Sequence, residues 1–131
     1  MTGLDTNVLV RYIAQDDAGQ SPKATKLIES LTVDAPGFVS LVSVVELFWV
    51  LSSCYGLTRE QLTQALELLL RTKEVVVDRA DQVLKALRVY KAGSADFADC
   101  LIERTAAGAG CDRIMTFDIG AAKTAGMTLI E

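Results

Sequence analysis

The chain has 131 residues, with 13 Lys and Arg against 17 Asp and Glu for a net charge of −4, and half of its residues are hydrophobic. This is the size and balance of one globular domain, residues 1–131, with a single core. It excludes a disordered chain and a strongly basic nucleic-acid binder. Histidine is absent, which excludes Ser-His-Asp and Cys-His catalysis, a His-Cys zinc site and any histidine general base.

The elements follow in order. Residues around Leu4 make a short strand, and a helix runs from about Asn7 to Ala14. Ser21 is expected as N-cap and Pro22 as first residue of a second helix reaching about Leu31, with Ala24, Leu27, Ile28 and Leu31 on its apolar face. Residues 35–39 turn into a second strand, and Ser40 to Cys54 is a helix ended by Tyr55-Gly56. Thr58 caps the next helix, with Glu60 and Gln61 near the capping-box position and Leu62, Leu66, Leu69 and Leu70 facing inward. The run from Glu74 to Val77 is a β-branched strand, followed by a helix from Asp81 to Lys91. Ser94 is expected to cap a helix that carries Asp96 and Asp99 and closes near Gly108-Ala109-Gly110. Arg113 to Phe117 reads as a strand, Ile119 to Ala125 as a helix, and Met127 to Ile130 as a last strand. Alternating β and α units without hairpin signals predict a parallel sheet with helices on both faces.

No apolar run approaches the roughly 20 residues that span a bilayer, and no basic leader precedes an apolar core, so a cytoplasmic protein without membrane contact is expected. Cys54, Cys100 and Cys111 show no CxxC spacing and are expected to be buried free thiols.

Four acids stand beside apolar sequence: Asp5, Glu46, Asp99 and Asp118. An unpaired charge inside a protein needs a cation, a proton or hydrogen bonds. In an open parallel sheet ligands bind beyond the carboxyl ends of the strands, where Asp5 and Asp118 fall. Asp96 and Asp99 are one helical step apart near a helix start, and Glu46 lies in the first two turns of its own helix. All five can meet at one sheet edge. A carboxylate-only set suits Mg²⁺ or Mn²⁺ better than zinc, and the chemistry that uses such a set is metal-assisted phosphodiester hydrolysis. Thr6 and Thr116 add hydroxyls beside two of the acids that can orient ligands.

Plainer readings compete. Asp5 and Asp118 can cap helices, Asp96 can be a first-turn helix acid, and Glu46 can pair with a base such as Arg11. Lys85, Arg88 and Lys91 share a helix face that meets either solvent or RNA phosphates. Arg11 and Tyr12 follow Asp5 on its helix and can line a substrate groove, while Phe48 and Trp49 belong to the core or to a protein interface.

The motifs Leu4-Asp5-Thr6-Asn7-Val8-Leu9, Ser43-Val44-Val45-Glu46-Leu47, Asp96-Phe97-Ala98-Asp99-Cys100-Leu101-Ile102 and Thr116-Phe117-Asp118 together resemble those of PIN-domain ribonucleases. The likeness is greatest to VapC-type toxins of bacterial toxin–antitoxin pairs. It implies a three-layer α/β/α sandwich with a central parallel sheet, and Asp5, Glu46, Asp99 and Asp118 as Mg²⁺ ligands. Asp96 matches a more variable, accessory acid. Glu103 replaces what is usually a small residue, and either turns to solvent or adds charge to the pocket rim. The resemblance further implies an RNA substrate, often tRNA or rRNA, a cognate antitoxin and a homodimer. The alternatives are another metal-dependent phosphoryl hydrolase, such as a phosphatase, or an inactive PIN-like binding module. Asn7 in place of the second aspartate of an Asp-x-Asp-x-Thr signature speaks against the common aspartate phosphatases.

Overall fold

In the computed structural model, which describes residues 1–131, strands and helices alternate in two compact units, Met1–Asp78 and Arg79–Glu131. The first unit contains β1 (Thr2–Gly3), α1 (Thr6–Ala14), α2 (Gln20–Glu29), β2 (Gly37–Val39), α3 (Leu41–Ser53), α4 (Arg59–Arg71) and β3 (Val75–Val77). The second contains α5 (Ala80–Ala92), α6 (Phe97–Gly108), β4 (Met115–Thr116), α7 (Ile119–Thr124) and β5 (Thr128–Leu129). The α/β class with parallel strands is the one expected. β1, β2 and β3 pair in that order, β4 pairs with β5, and every ladder is parallel. No helix is long and apolar enough to cross a membrane.

The strands are shorter than the apolar runs suggest, because apolar character extends past the last paired residue into turns and caps. In β3, Val75 and Val77 are buried while Val76 faces out, the alternation of a half-covered strand. Gly37 lies so close beneath Leu4 and Leu31 that an added Cβ would sit 2.9 Å from a methyl of each. Glycine there lets both leucines close over the start of β2. Leu9, Val39, Val44 and Leu47 fill the centre of the first unit. In the second, α5 packs on α6, Val83, Ala86, Leu87 and Cys100 are buried, and Tyr90 meets Phe97 edge to face with ring centroids 5.9 Å apart. Lys85, Arg88 and Lys91 are exposed on α5.

Two caps differ from expectation. The start of α2 is held by Asp17, whose Oδ1 accepts from the backbone N–H of Gly19 at 2.9 Å and of Gln20 at 2.7 Å. Ser21 lies inside the helix and its hydroxyl accepts from the Asp17 N–H at 3.2 Å. A carboxylate taking two amide donors outcompetes a hydroxyl taking one. Likewise α6 is capped by Asp96, not Ser94. The Thr58 cap forms as predicted, with the full reciprocal box to Gln61.

The two backbone bonds hold the Asp17 carboxyl below the usual carboxylate range. A depressed folded value adds stability above the unfolded value that is lost as pH falls through the folded one. Asp17→Ala should therefore melt at lower temperature than the parent near neutral pH. The gap between the two melting curves should close on acidification below the ordinary carboxylate range.

Candidate metal centre

In the first unit Asp5 follows β1 with extended backbone and caps α1, its Oδ1 accepting from the Thr6 N–H at 2.8 Å. Thr6 is buried and donates its hydroxyl to Glu46 Oε1 at 2.8 Å, tying the start of α1 to α3 and fixing Glu46. Arg11 is not the partner of Glu46. Its guanidinium goes to Asp16, Gln20 and Tyr55.

In the second unit Asp96 caps α6, with Oδ1 accepting from the Asp99 N–H at 3.2 Å. Asp118 follows β4 and caps α7, with Oδ1 accepting from the Ala121 N–H at 3.1 Å. The Thr116 hydroxyl accepts from the Asp118 N–H at 3.0 Å, so Thr116 fixes the turn that carries this acid. Asp99 stands in the first turn of α6, half-buried. Its carboxyl is pushed above the usual range by partial burial first, then by the negative charges of Asp96 and Asp118. No hydrogen bond or ion pair satisfies the Asp99 carboxylate.

The capping reading of Asp5 and Asp118 is thus realised, and Asp96 proves to be a cap as well. Yet a cap uses one oxygen. In Asp5, Asp96 and Asp118 the bonded atom is Oδ1, and in Glu46 it is Oε1. The second oxygen of each remains open, and none of the five acids pairs with a base. The acids are also less enclosed than their apolar neighbours imply: Asp5, Glu46, Asp96 and Asp118 are exposed, and only Asp99 is half-buried. Helical periodicity explains this for Glu46, since Val44 and Leu47 turn inward while it faces out.

Two further expectations fall. Cys54 and Cys111 are exposed and only Cys100 is buried; the first ends α3 and the last lies in the turn after α6, where neighbouring apolar residues do not enclose a side chain. Glu103 neither turns to solvent nor joins the acids. It is buried beneath Gly126 and takes both Nε and Nη2 of Arg104, at 2.5 and 2.7 Å. The sequence reading also missed the cluster of Arg11, Asp16, Gln20 and Tyr55. Tyr55 lies 44 positions beyond Arg11, and no local pattern announces so distant a contact.

Oxygen donors alone, from carboxylates and threonine hydroxyls, fit a hard divalent cation. The fit lies in the chemistry of the donors, because no three of these side chains are already closed into a cage.

A model of the PIN domain matches residues 4–127. The chain belongs to the PIN-domain family. PIN domains are in general nucleases that use divalent metals, often related to toxin–antitoxin systems, so the chain is assigned nuclease-type hydrolase activity on nucleic acid. A search of curated proteins finds no match.

Because Glu103 spends its charge on Arg104, Arg104→Met should lower stability by about 1–3 kcal/mol through the unpaired buried carboxylate. Chemical denaturation measures the loss. A role for Glu103 in holding a cation would instead appear as a changed response of melting temperature to Mg²⁺.

Proposed function

We propose that this PIN-domain nuclease is a Mg²⁺-dependent endoribonuclease, the VapC-type toxin of a toxin–antitoxin pair. The observation that carries the reading is Asp99. It is a half-buried carboxylate with two acidic neighbours and no basic or hydrogen-bonding partner. Such a group draws either a proton or a cation. The open oxygens of Asp5, Glu46 and Asp118 are of the same kind, and we assign all four residues as ligands of Mg²⁺, with Mn²⁺ accepted by the same donor set.

When bound, the cation supplies positive charge to a phosphate and makes water more acidic. The remaining roles belong to the chain. Thr6 holds Glu46 in place through its hydroxyl, and Thr116 fixes the backbone turn that presents Asp118. Asp96 secures the first turn of α6 and, by its charge, raises the demand of Asp99 for a counter-charge. The net charge of −4 alone disfavours RNA, and neutralising the acids relieves that opposition. Attack by water on the phosphodiester leaves 5′-phosphate and 3′-hydroxyl ends.

Single-stranded loops of tRNA or rRNA are the proposed targets, because exposed bases and local shape are what proteins read in RNA. The same bare carboxylates attract a basic side chain, which is how the C-terminal segment of a cognate antitoxin would silence the enzyme. The protein acts in the cytoplasm as a homodimer on this reading.

The test is cleavage of total cellular RNA by the purified protein with Mg²⁺ and with EDTA, beside Asp99→Asn. Metal-dependent cleavage that falls by about a hundredfold or more in the variant is the expected result. Turnover of small phosphomonoesters with RNA left intact would identify a phosphatase instead.

A further inference from the structure

In the first unit a cavity of about 250 Å³ opens between α1 and α2. Asn7 and Arg11 line it from α1, and Gln20, Lys23, Ala24 and Leu27 from α2. Val8 of α1 joins Leu27 and the buried Ala24 in the apolar part of the lining, while the other four carry polar groups. Concave, mainly apolar sites with a few placed polar groups are the usual form of a small-ligand pocket.

Arg11 is the unusual member. Its Nε donates to Gln20 Oε1 at 2.8 Å, and its Nη1 donates to Asp16 Oδ1 at 3.2 Å and to the Tyr55 hydroxyl at 3.1 Å. Tyr55 in turn donates to Asp16 Oδ2 at 2.7 Å. Two consequences follow. The charge of Arg11 is matched by Asp16, so Arg11 is a poor clamp for a free anion. Its guanidinium plane is held from several sides and makes a rigid flat plate, the kind of surface on which an unpaired base stacks. The amides of Asn7 and Gln20 can address the edge of that base. Lys23 is exposed and in no ion pair, so it can meet the neighbouring phosphate.

The cavity also shares a helix with a proposed metal ligand. Asn7 lies two positions and Arg11 six beyond Asp5, which is about 3 and 9 Å along a helix axis. We infer that this cavity is a nucleobase subsite, receiving one unpaired base of an RNA strand beside the bond to be cut. It would set which nucleotide flanks the cut. The inference rests on the nuclease reading for its substrate class, and binding can be measured separately from cleavage.

The experiment uses short fluorescent single-stranded RNAs, intact or with one base removed at successive positions. Their binding to the full chain and to Lys23→Glu and Leu27→Glu is followed by anisotropy in EDTA, and their cleavage in Mg²⁺. Both variants alter half-exposed or exposed side chains, and circular dichroism checks that each is folded. Binding of intact RNA should weaken by about tenfold in each variant. Removal of one particular base should weaken parent binding by a similar factor, with little further loss in the variants. Unchanged RNA binding in both variants, or no position at which loss of the base matters, would overturn the subsite. That outcome would leave the cavity to a protein partner. Intact, base-dependent binding without cleavage in Mg²⁺ would support the subsite and refute the nuclease.

Discussion

Strand ends that become helix caps are the constraint on which the fold and the candidate site both depend. Asp5 closes the turn from β1 into α1, and Asp118 closes the turn from β4 into α7. Each meets the unpaired amides at a helix start and gains the favourable field there. Because this uses one carboxylate oxygen, the same residue can build the fold and still offer its other oxygen outward. Ser40 does the same structural work between β2 and α3 with a hydroxyl. It brings no charge, and the acid on that helix comes instead from Glu46, held by Thr6.

Asp99 is the exception that gives the arrangement a chemical direction. It caps nothing and pairs with nothing, while Asp96 and Asp118 add negative charge around it. A fold gains no stability from such a carboxylate. Some acids elsewhere are matched, as Glu103 is by Arg104 and Asp16 by Arg11 and Tyr55, and others, such as Asp34, Asp81 and Asp112, stand exposed to solvent. Asp99 differs from these in combining partial burial with two acidic neighbours. On the proposed reading, a divalent cation relieves that combination.

The sequence reveals element order and class well because both rest on local signals. The capping box at Thr58 and the β-branched run at Val75–Val77 are legible from neighbours alone. It misjudges competition between equally plausible caps. Asp17 displaces Ser21, and Asp96 displaces Ser94, since two amides or a better-placed carboxylate decide the matter. It also overstates the burial of Glu46 and Cys54, because an apolar run does not tell which face of a helix is inward. Asp5 and Asp118 stand out by their setting at strand ends, and Glu46 and Asp99 by their place in early helical turns beside apolar sequence. Thr6 is read beside Asp5, and its bond to Glu46, 40 positions away, has no local signal. The Arg11, Asp16 and Tyr55 cluster was invisible because its members come from distant segments.

The central claim is that the partnerless carboxylate at Asp99 exists to hold a divalent cation. Isothermal titration of Mg²⁺ into the RNA-free protein, beside Asp99→Asn, tests it most directly. The account predicts saturable uptake by the parent and at least about a tenfold loss of affinity in the variant. Equal affinity in the two proteins, or no uptake by the parent, would contradict it.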